Sequence, residues 1–186
     1  MEKMKVRDLM RPVTAFARIS SGATLMAAVD ALEKAQLAFT AGKAPQRILL
    51  VENEGGDIVG KLSPMDVVQG LEPNYSRIES LKGLSRASLS TDMLESMKEQ
   101  FRLWEKPLSE LCRKAYDVKI ESFVRLPAPD HMVGVDEKMD KAFHLFVVGR
   151  HDSLFVKEGG RIVGLIRFSD VYKQIADTMR ECPLAE

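Results

Sequence analysis

Few residues of this chain have the types and spacing that binding chemistry needs, and the clearest are Ser63 and Asp66. The segment Gly60-Lys61-Leu62-Ser63-Pro64-Met65-Asp66 has the features of a helix start, with Ser63 as N-cap and Pro64 at the first helical position. Backbone N–H groups at such an end attract a phosphate. The Asp66 carboxylate can accept two hydrogen bonds from ribose hydroxyls. The same residues would also suit helix capping alone, with Asp66 bonded to the local backbone.

The other reactive residue types form no catalytic or metal-binding pattern. They are His131, His144, His151, Cys112 and Cys182. Their spacing matches no zinc or redox motif, so we expect no metal site and two reduced, structural thiols. No nucleophile stands at motif spacing from a base, and the glycine–lysine signature of a P-loop is missing from the sequence. We therefore expect that the protein is not an enzyme.

The composition is that of a globular protein without net charge. The 186 residues include 27 Lys and Arg against 27 Asp and Glu, and 45% are hydrophobic. This balance excludes general disorder and argues against sequence-independent binding of nucleic acid, which needs surplus cations. The longest aliphatic runs, such as Ile48–Val51, have about four residues, whereas a membrane span needs ~20. We expect a cytoplasmic protein with neither nucleic acid nor membrane as a partner.

An internal repeat recurs at an offset of 104 residues. Gly55–Val67 and Gly159–Val171 share a glycine pair, an Ile-Val-Gly stretch and an Asp-Val, and each follows an aliphatic strand. Weaker similarity upstream pairs Leu25–Leu32 with Met139–Phe146, both with helical periodicity. Each repeat is therefore expected to form a helical turn, strand, helix, strand, strand and helix.

The repeat predicts the domain organisation. Residues 5–71 form the first repeat, residues 72–107 a helical insert and residues 108–179 the second repeat. A hairpin with one further strand cannot bury both of its faces alone. We therefore expect an α+β, sandwich-like fold in which two β-α-β-β-α repeats pack sheet to sheet.

The insert carries one strong helix signal, which begins at Asp92. The apolar face of this helix consists of Met93, Met97, Phe101 and Trp104. These positions follow helical spacing, and Pro107 suits the end of the helix. Such a stripe is usually core, and the alternative is a surface for a partner or for dimerisation.

The paired Gly-Gly-x-Ile-Val-Gly segments, the Asp-Val after each and the Val-x-Asp-Leu-Met opening at Val6–Met10 give the chain a family resemblance. It resembles a tandem CBS-domain protein (a cystathionine-β-synthase domain pair, or Bateman module) of the stand-alone class, over residues 5–179. The resemblance implies a pseudo-twofold pair of repeats with clefts that often accept adenine nucleotides. It also implies a homodimer.

In that family a Gly-x-x-Ser/Thr-x-x-Asp motif contacts ribose and phosphate. The resemblance implies ligand-binding roles for Thr14, Ser63, Asp66, Arg167 and Asp170. The first repeat matches the motif completely, whereas the second keeps Asp170 but has Arg167 where the hydroxyl belongs. Arg167 is open to two interpretations, a contact to phosphate or a surface arginine paired with Asp170. Thr14 comes just before a strand predicted over residues 15–19.

The function that the resemblance implies is a regulatory module for an adenosine-containing nucleotide. AMP, ADP or ATP are the expected ligands, with S-adenosylmethionine and NAD ranked below them, and no cofactor is obligatory. The ligand would act through differential affinity for two packing states of a homodimer or of an unidentified regulated protein. The alternative is a constitutive dimerisation or docking module without nucleotide, which the missing hydroxyl and the extra helix favour.

Overall fold

The structure, a computed structural model, describes residues 4–44, 46–72, 74–75 and 90–181. The strands are β1 Arg11–Pro12, β2 Ala17–Ser20, β3 Leu49–Glu52, β4 Ile58–Leu62, β5 Met132–Gly134, β6 Ser153–Glu158 and β7 Arg161–Arg167. The α-helices are α1 Leu25–Thr40, α2 Pro64–Leu71, α3 Thr91–Gln100, α4 Leu108–Lys114, α5 Met139–Gly149 and α6 Phe168–Glu181. Among these helices, none combines the length and the apolar character that crossing a membrane requires.

The strands form two sheets with the same local plan. One has the order β1-β7-β6-β5 and the other the order β2-β3-β4. β2 runs parallel to β3 and β5 runs parallel to β6, so the connections through α1 and α5 are crossover units. Each repeat therefore has the predicted β-α-β-β-α order, and the α+β fold class is confirmed.

The chain divides into two compact units that do not follow sequence order. Unit 1 draws its described residues from Met1–Phe16, Asp57–Val59 and Leu126–Glu186, and unit 2 from Ala17–Gly56 and Gly60–Arg125. Residues 4–16 of the first repeat thus lie in unit 1 with most of the second repeat. Residues 108–125 of the second repeat lie in unit 2 with most of the first repeat. The boundaries of the repeats and insert given above concern the sequence and stay a prediction.

The core of unit 1 holds the N-terminal segment in place. Val6 is fully buried among apolar side chains of β5, α5, β6, β7 and α6. These include Val133, Met139, Phe146, Leu154, Ile166 and Val171. The backbone N–H of Val6 also donates to the carbonyl of Glu137 at 3.0 Å. Full burial of such a side chain is worth about 1.5–3 kcal/mol, so this turn is a structural part of unit 1.

In unit 2 the chain after α4 caps the start of α1. The N–H of Leu25 donates to the carbonyl of Val118 at 2.8 Å, and the N–H of Met26 donates to the carbonyl of Ala115 at 2.9 Å. These are N–H groups that lack partners within their own helix. The face of α1 that packs inward consists of Leu25, Ala28, Leu32 and Ala35, all buried. α1 continues to Thr40, and Gly42 follows with a φ of +70° that suits a helix end.

Two predicted boundaries were wrong. The strand expected over residues 15–19 is β2 at Ala17–Ser20, and Thr14 lies in a 3₁₀ turn at Val13–Ala15. The insert helix begins at Thr91, because Ser90 is the N-cap and its side chain accepts a hydrogen bond from Met93 N–H. The helix ends at Gln100, and Pro107 is the N-cap of α4.

The predicted apolar stripe of the insert is partly core. Met97 is buried, whereas Met93 and Trp104 keep about a third of their surface exposed at 36% and 37%. Trp104 is not helical, since its φ is +59°. Its backbone N–H donates to the buried carboxylate of Glu72 at 3.0 Å, and its indole N–H donates to the hydroxyl of Tyr75 at 3.0 Å. These bonds join the end of the insert to the residues that follow α2.

Candidate functional site

The predicted ligand residues lie at the starts of two helices, α2 and α6. Ser63 and Asp66 stand at the start of α2 in unit 2, whereas Arg167 and Asp170 stand at the start of α6 in unit 1. Thr14 is exposed and also belongs to unit 1, in a turn that contacts β7. The structure therefore brings together Arg167 and Asp170 in one unit and Ser63 and Asp66 in the other.

At the start of α2, Ser63 and Asp66 bond to each other. The Ser63 backbone N–H donates to Asp66 Oδ2 at 2.7 Å, and the Ser63 hydroxyl donates to the same oxygen at 2.6 Å. Pro64 occupies the first turn, as predicted. The capping interpretation thus describes this geometry, and a ribose hydroxyl would compete with Ser63 for Oδ2. The ligand-binding roles of Ser63 and Asp66 stay predictions.

At the start of α6, two arginines converge on one carboxylate. Arg167 Nε donates to Asp170 Oδ2 at 2.6 Å, and its NH2 group donates to Oδ1. Arg11 Nε donates to Oδ2 at 3.1 Å, and its NH2 group donates to Oδ1 at 3.3 Å. Both contacts are bidentate forks, the strongest geometry for such pairs. The pairing of Arg167 with Asp170 agrees with the structural interpretation of Arg167.

The electrostatics of this cluster leave a surplus of positive charge. Burial raises the pKa of the Asp170 carboxyl, but hydrogen bonds and charge from Arg167 and Arg11 outweigh burial and hold that pKa below its ordinary value. One ionised carboxylate therefore faces two guanidinium groups. The Asp170 and Arg167 side chains are 20% exposed and that of Arg11 is 37% exposed, so Arg11 is the more accessible of the two cations. The N-terminal end of a 14-residue helix adds a partial positive charge.

Arg11 was missed by the sequence analysis. Its partner Asp170 is 159 residues away along the chain, and no local pattern indicates such a pair. Arg11 reaches α6 because β1 pairs antiparallel with β7, where Arg11 is opposite Leu165. The only available signal was its position directly after the Val6–Met10 opening.

The motif glycines of both repeats have a packing role. A Cβ on Gly164 would collide with the carbonyl oxygen of Arg11, which is the close approach that lets β1 pair with β7. In unit 2 a Cβ on Gly60 would stand 2.8 Å from Val124 Cγ1 and 3.1 Å from the Arg125 carbonyl oxygen. In each unit the glycine therefore accommodates a segment that belongs to the other repeat in sequence.

Unit 2 also contains a cavity of about 440 Å³. Its walls include Leu25, Leu71, Leu111, Val118 and Phe123. Lys114 and Arg125 add positive charge, so the cavity is suited to a partly apolar ligand with a negative group. The five predicted ligand residues, all described by the structure, are not among its walls.

Sequence comparisons find no counterpart: no family model matches the chain, and neither does any curated protein. Solved structures do match. A CBS domain-containing protein of unknown function from Bacillus anthracis has 15% identity and a TM-score of 0.58, with 95% of each chain covered. CBSX2 in complex with AMP has 15% identity and a TM-score of 0.54, with 95% of this chain and 98% of that chain covered.

A third match comes from a transcriptional regulator. The CBS domains of this regulator from Streptococcus pneumoniae have 12% identity and a TM-score of 0.53, with 91% of this chain and 98% of that chain covered. At such identities the similarity concerns the backbone fold. The three matches agree on that fold over nearly the whole chain.

Proposed function

We propose, from the premise that this chain has the tandem CBS-domain fold, that it is a regulatory module for an adenosine-containing nucleotide. The fold is shared with CBSX2, whose structure is a complex with AMP. The observation in this chain that carries the proposal is the cluster of Arg11, Arg167 and Asp170. It joins surplus positive charge to a carboxylate at a helix start, and these are the groups that a phosphate and a ribose require.

Within the cluster, Arg11 is the residue to which we assign the phosphate. It is the more exposed of the two arginines, and a guanidinium offers five N–H donors, of which Asp170 takes two. Arg167 is less exposed and contributes positive charge close to the phosphate without being assigned a direct contact to it. The start of α2 has a hydroxyl and a carboxylate in its Ser63–Asp66 pair but no cation in that pair, so we assign the phosphate to α6 and not to α2.

Binding at this cluster would also account for regulation. The Arg11–Asp170 contact ties β1 to α6, and a phosphate would compete with Asp170 for the same guanidinium. A nucleotide would then favour conformations in which the Arg11–Asp170 contact is weaker. A ligand shifts an equilibrium only by its difference in affinity for the two states, and this contact provides such a difference.

The test is calorimetric titration of the purified full chain with AMP, ADP, ATP and adenosine, supported by thermal unfolding. We expect binding of at least one nucleotide, with adenosine at least tenfold weaker because it lacks the phosphate. Arg11→Gln should weaken nucleotide binding at least tenfold, and Arg11→Lys should recover part of the loss. The matched control is Arg7→Gln, an exposed arginine of the same segment that pairs with Asp136 at 2.6 Å.

Two results would contradict the proposal. Absence of binding for all three nucleotides would exclude the function itself. Equal affinity for AMP and adenosine, or equal losses in Arg11→Gln and Arg7→Gln, would exclude the assigned site while leaving a nucleotide ligand in place. Titration below the unfolding temperature of each variant separates loss of binding from loss of fold.

A second candidate function, dimerisation or docking without a nucleotide, is favoured by exposed apolar side chains in unit 1. On its two long helices these are Val147 and Val148 of α5 and Phe168, Tyr172 and Met179 of α6. Tyr172 and Met179 are 61% and 71% exposed, which is costly for apolar groups in water. We propose a second copy of this chain as the occupant, in keeping with the homodimer expected from the family resemblance.

Light scattering coupled to size exclusion tests the dimer. The double variant Tyr172→Glu/Met179→Glu should elute as a monomer, whereas Lys173→Glu on the same helix should leave the dimer intact. A natural chain that is monomeric at high micromolar concentration would contradict this proposal.

A further inference from the structure

Asp130, His131 and His151 lie together in unit 1. Asp130 and His131 belong to a 3₁₀ turn, Pro129–His131, that leads into β5, whereas His151 follows the end of α5. One ligand atom from each of the three lies within 4.8 Å of those of the other two. The separation of His131 from His151 along the chain matches no short zinc motif, which explains why no metal site was expected from the sequence.

The three side chains combine a buried histidine with a solvent-facing carboxylate. The rings of His131 and His151 meet edge to face, with centroids 3.9 Å apart. His151 Nε2 is buried and lies 3.9 Å from Asp130 Oδ2. The side chain of His151 is 9% exposed and that of Asp130 is 50% exposed. A cation could therefore enter past Asp130 and reach the imidazole behind it.

The backbone around His151 is arranged to place its ring at this position. Arg150 has a left-handed conformation with a φ of +54°, so the chain reverses directly after α5. Gly149 leaves room for the imidazole, since a Cβ at that position would collide with His151 Nε2. The carbonyl of Asp152 then accepts a hydrogen bond from the Phe168 N–H at 2.9 Å, which fixes the loop to the start of α6.

We propose that Asp130, His131 and His151 form a binding site for a divalent transition-metal cation, for which zinc is the probe. Two neutral imidazoles and one carboxylate are a donor set that zinc, nickel and copper accept. Three protein ligands leave further coordination positions for water. Magnesium and calcium prefer oxygen ligands, and this site would discriminate against them.

Metal binding requires a small contraction of the cluster. Zinc bonds of about 2.0–2.2 Å in tetrahedral geometry place ligand atoms about 3.3 Å apart. The present separations extend to 4.8 Å. Asp130 and His131, which share a short turn on the surface side of the cluster, would move towards His151, and the edge-to-face ring contact would open. The bound ion would then join the entry of β5 to the loop between α5 and β6.

The experiment is titration of the chelator-treated full chain, without a polyhistidine tag, with zinc, nickel and magnesium. We expect one zinc ion per chain, a higher unfolding temperature with zinc or nickel, and no effect of magnesium. His131→Gln and Asp130→Asn, both on the outer side of the cluster, should each weaken zinc binding at least tenfold. The matched control is His144→Gln, which removes an exposed histidine of α5 in the same unit.

Two further measurements identify the ligands. Copper loaded into the chain should show nitrogen hyperfine splitting in its electron paramagnetic resonance spectrum, and His131→Gln should reduce that splitting. Replacing Cys112 and Cys182 with serine should leave the zinc affinity unchanged. Loss of zinc binding in the cysteine variant, equal losses in His144→Gln and His131→Gln, or no binding at millimolar zinc would each overturn the proposal.

Discussion

Arg11 and Asp170 are 159 residues apart in sequence, and Arg11 Nε lies 3.1 Å from Asp170 Oδ2. The contact joins β1 to α6. Because Arg167 binds the same carboxylate, Asp170 organises the start of α6 and the position of β1 together. A ligand that accepts hydrogen bonds from these guanidinium groups in place of Asp170 would therefore affect both β1 and the start of α6.

Asp170→Asn should destabilise the chain in a pH-dependent way. The change removes the charge that both arginines contact, and we expect a loss of about 1–2 kcal/mol at pH 7. The pKa of Asp170 is lowered in the folded state, so its contribution is present above the unfolded pKa of about 3.9 and is lost as the pH falls through the folded pKa. Urea unfolding at pH 7 and pH 3 measures both effects.

Asp177→Asn is the matched control for this prediction. Asp177 pairs with Arg180 on the exposed side of the same helix at 2.9 Å, so its removal should cost no more than about 0.5 kcal/mol. If Asp170→Asn were as stable as this control at pH 7, the cluster would have no structural role. If the two variants lost stability equally between pH 7 and pH 3, the assignment of the acid response to Asp170 would be wrong.

Alanine at the motif glycines should destabilise both units by overpacking. Gly164→Ala places a methyl group against the Arg11 carbonyl, and we expect a loss of about 1–3 kcal/mol. Gly60→Ala meets the flexible end of Val124 first and should cost less. Gly22→Ala, whose Cβ would lie 3.7 Å from the nearest atom, should be neutral or slightly stabilising. Thermal unfolding of the three variants in any other order would contradict the packing role.

Glu72→Ala should release the segment that follows α3. The change leaves the backbone N–H of Trp104 without the buried carboxylate of Glu72 as its partner, at an expected cost of about 1–3 kcal/mol. Trp104 is the only tryptophan of the chain, so its fluorescence reports the release directly as a shift to longer wavelength. Glu72→Gln keeps one acceptor oxygen and should shift less. Glu95→Ala, on the exposed surface of α3, should leave the emission unchanged.

Ser63→Ala should lower stability even when no nucleotide is present. Ser63 caps α2 and bonds to Asp66, and loss of an N-cap residue costs about 0.5–2 kcal/mol. The control is Ser169→Ala, an exposed serine in the first turn of α6. Chemical denaturation compares the two variants. A change in nucleotide affinity without a change in stability would show that Ser63 serves the ligand and not the helix.

Local features of the fold could be predicted from the sequence because local residues determine them. Ser63 and Pro64 indicated the start of α2, and the separation of Arg167 from Asp170 indicated a pair within one helical turn. The 104-residue repeat predicted the order of elements because each repeat carries its own apolar periodicity. The predicted end of the insert helix was wrong, because the apolar spacing does not show that Trp104 adopts a positive φ.

Features that depend on distant pairing could not be predicted. Arg11 reaches Asp170 only through the pairing of β1 with β7, and Gly164 permits that pairing by its lack of a side chain. The same holds for His131 and His151, which the fold brings together from two loops. In each case the deciding interaction joins residues that are not neighbours in the sequence.

The burial of Val6 in unit 1 has a consequence for synthesis on the ribosome. The described residues of unit 2 have all been made once residue 125 has emerged. Val6 can be buried only after β5, α5, β6, β7 and α6 have also emerged, because these elements supply the side chains around it. Residues 4–16 are therefore made well before they can fold. Unit 1 can form only after α6 has emerged, because Val6 is buried with residues such as Val171 that lie far along the sequence.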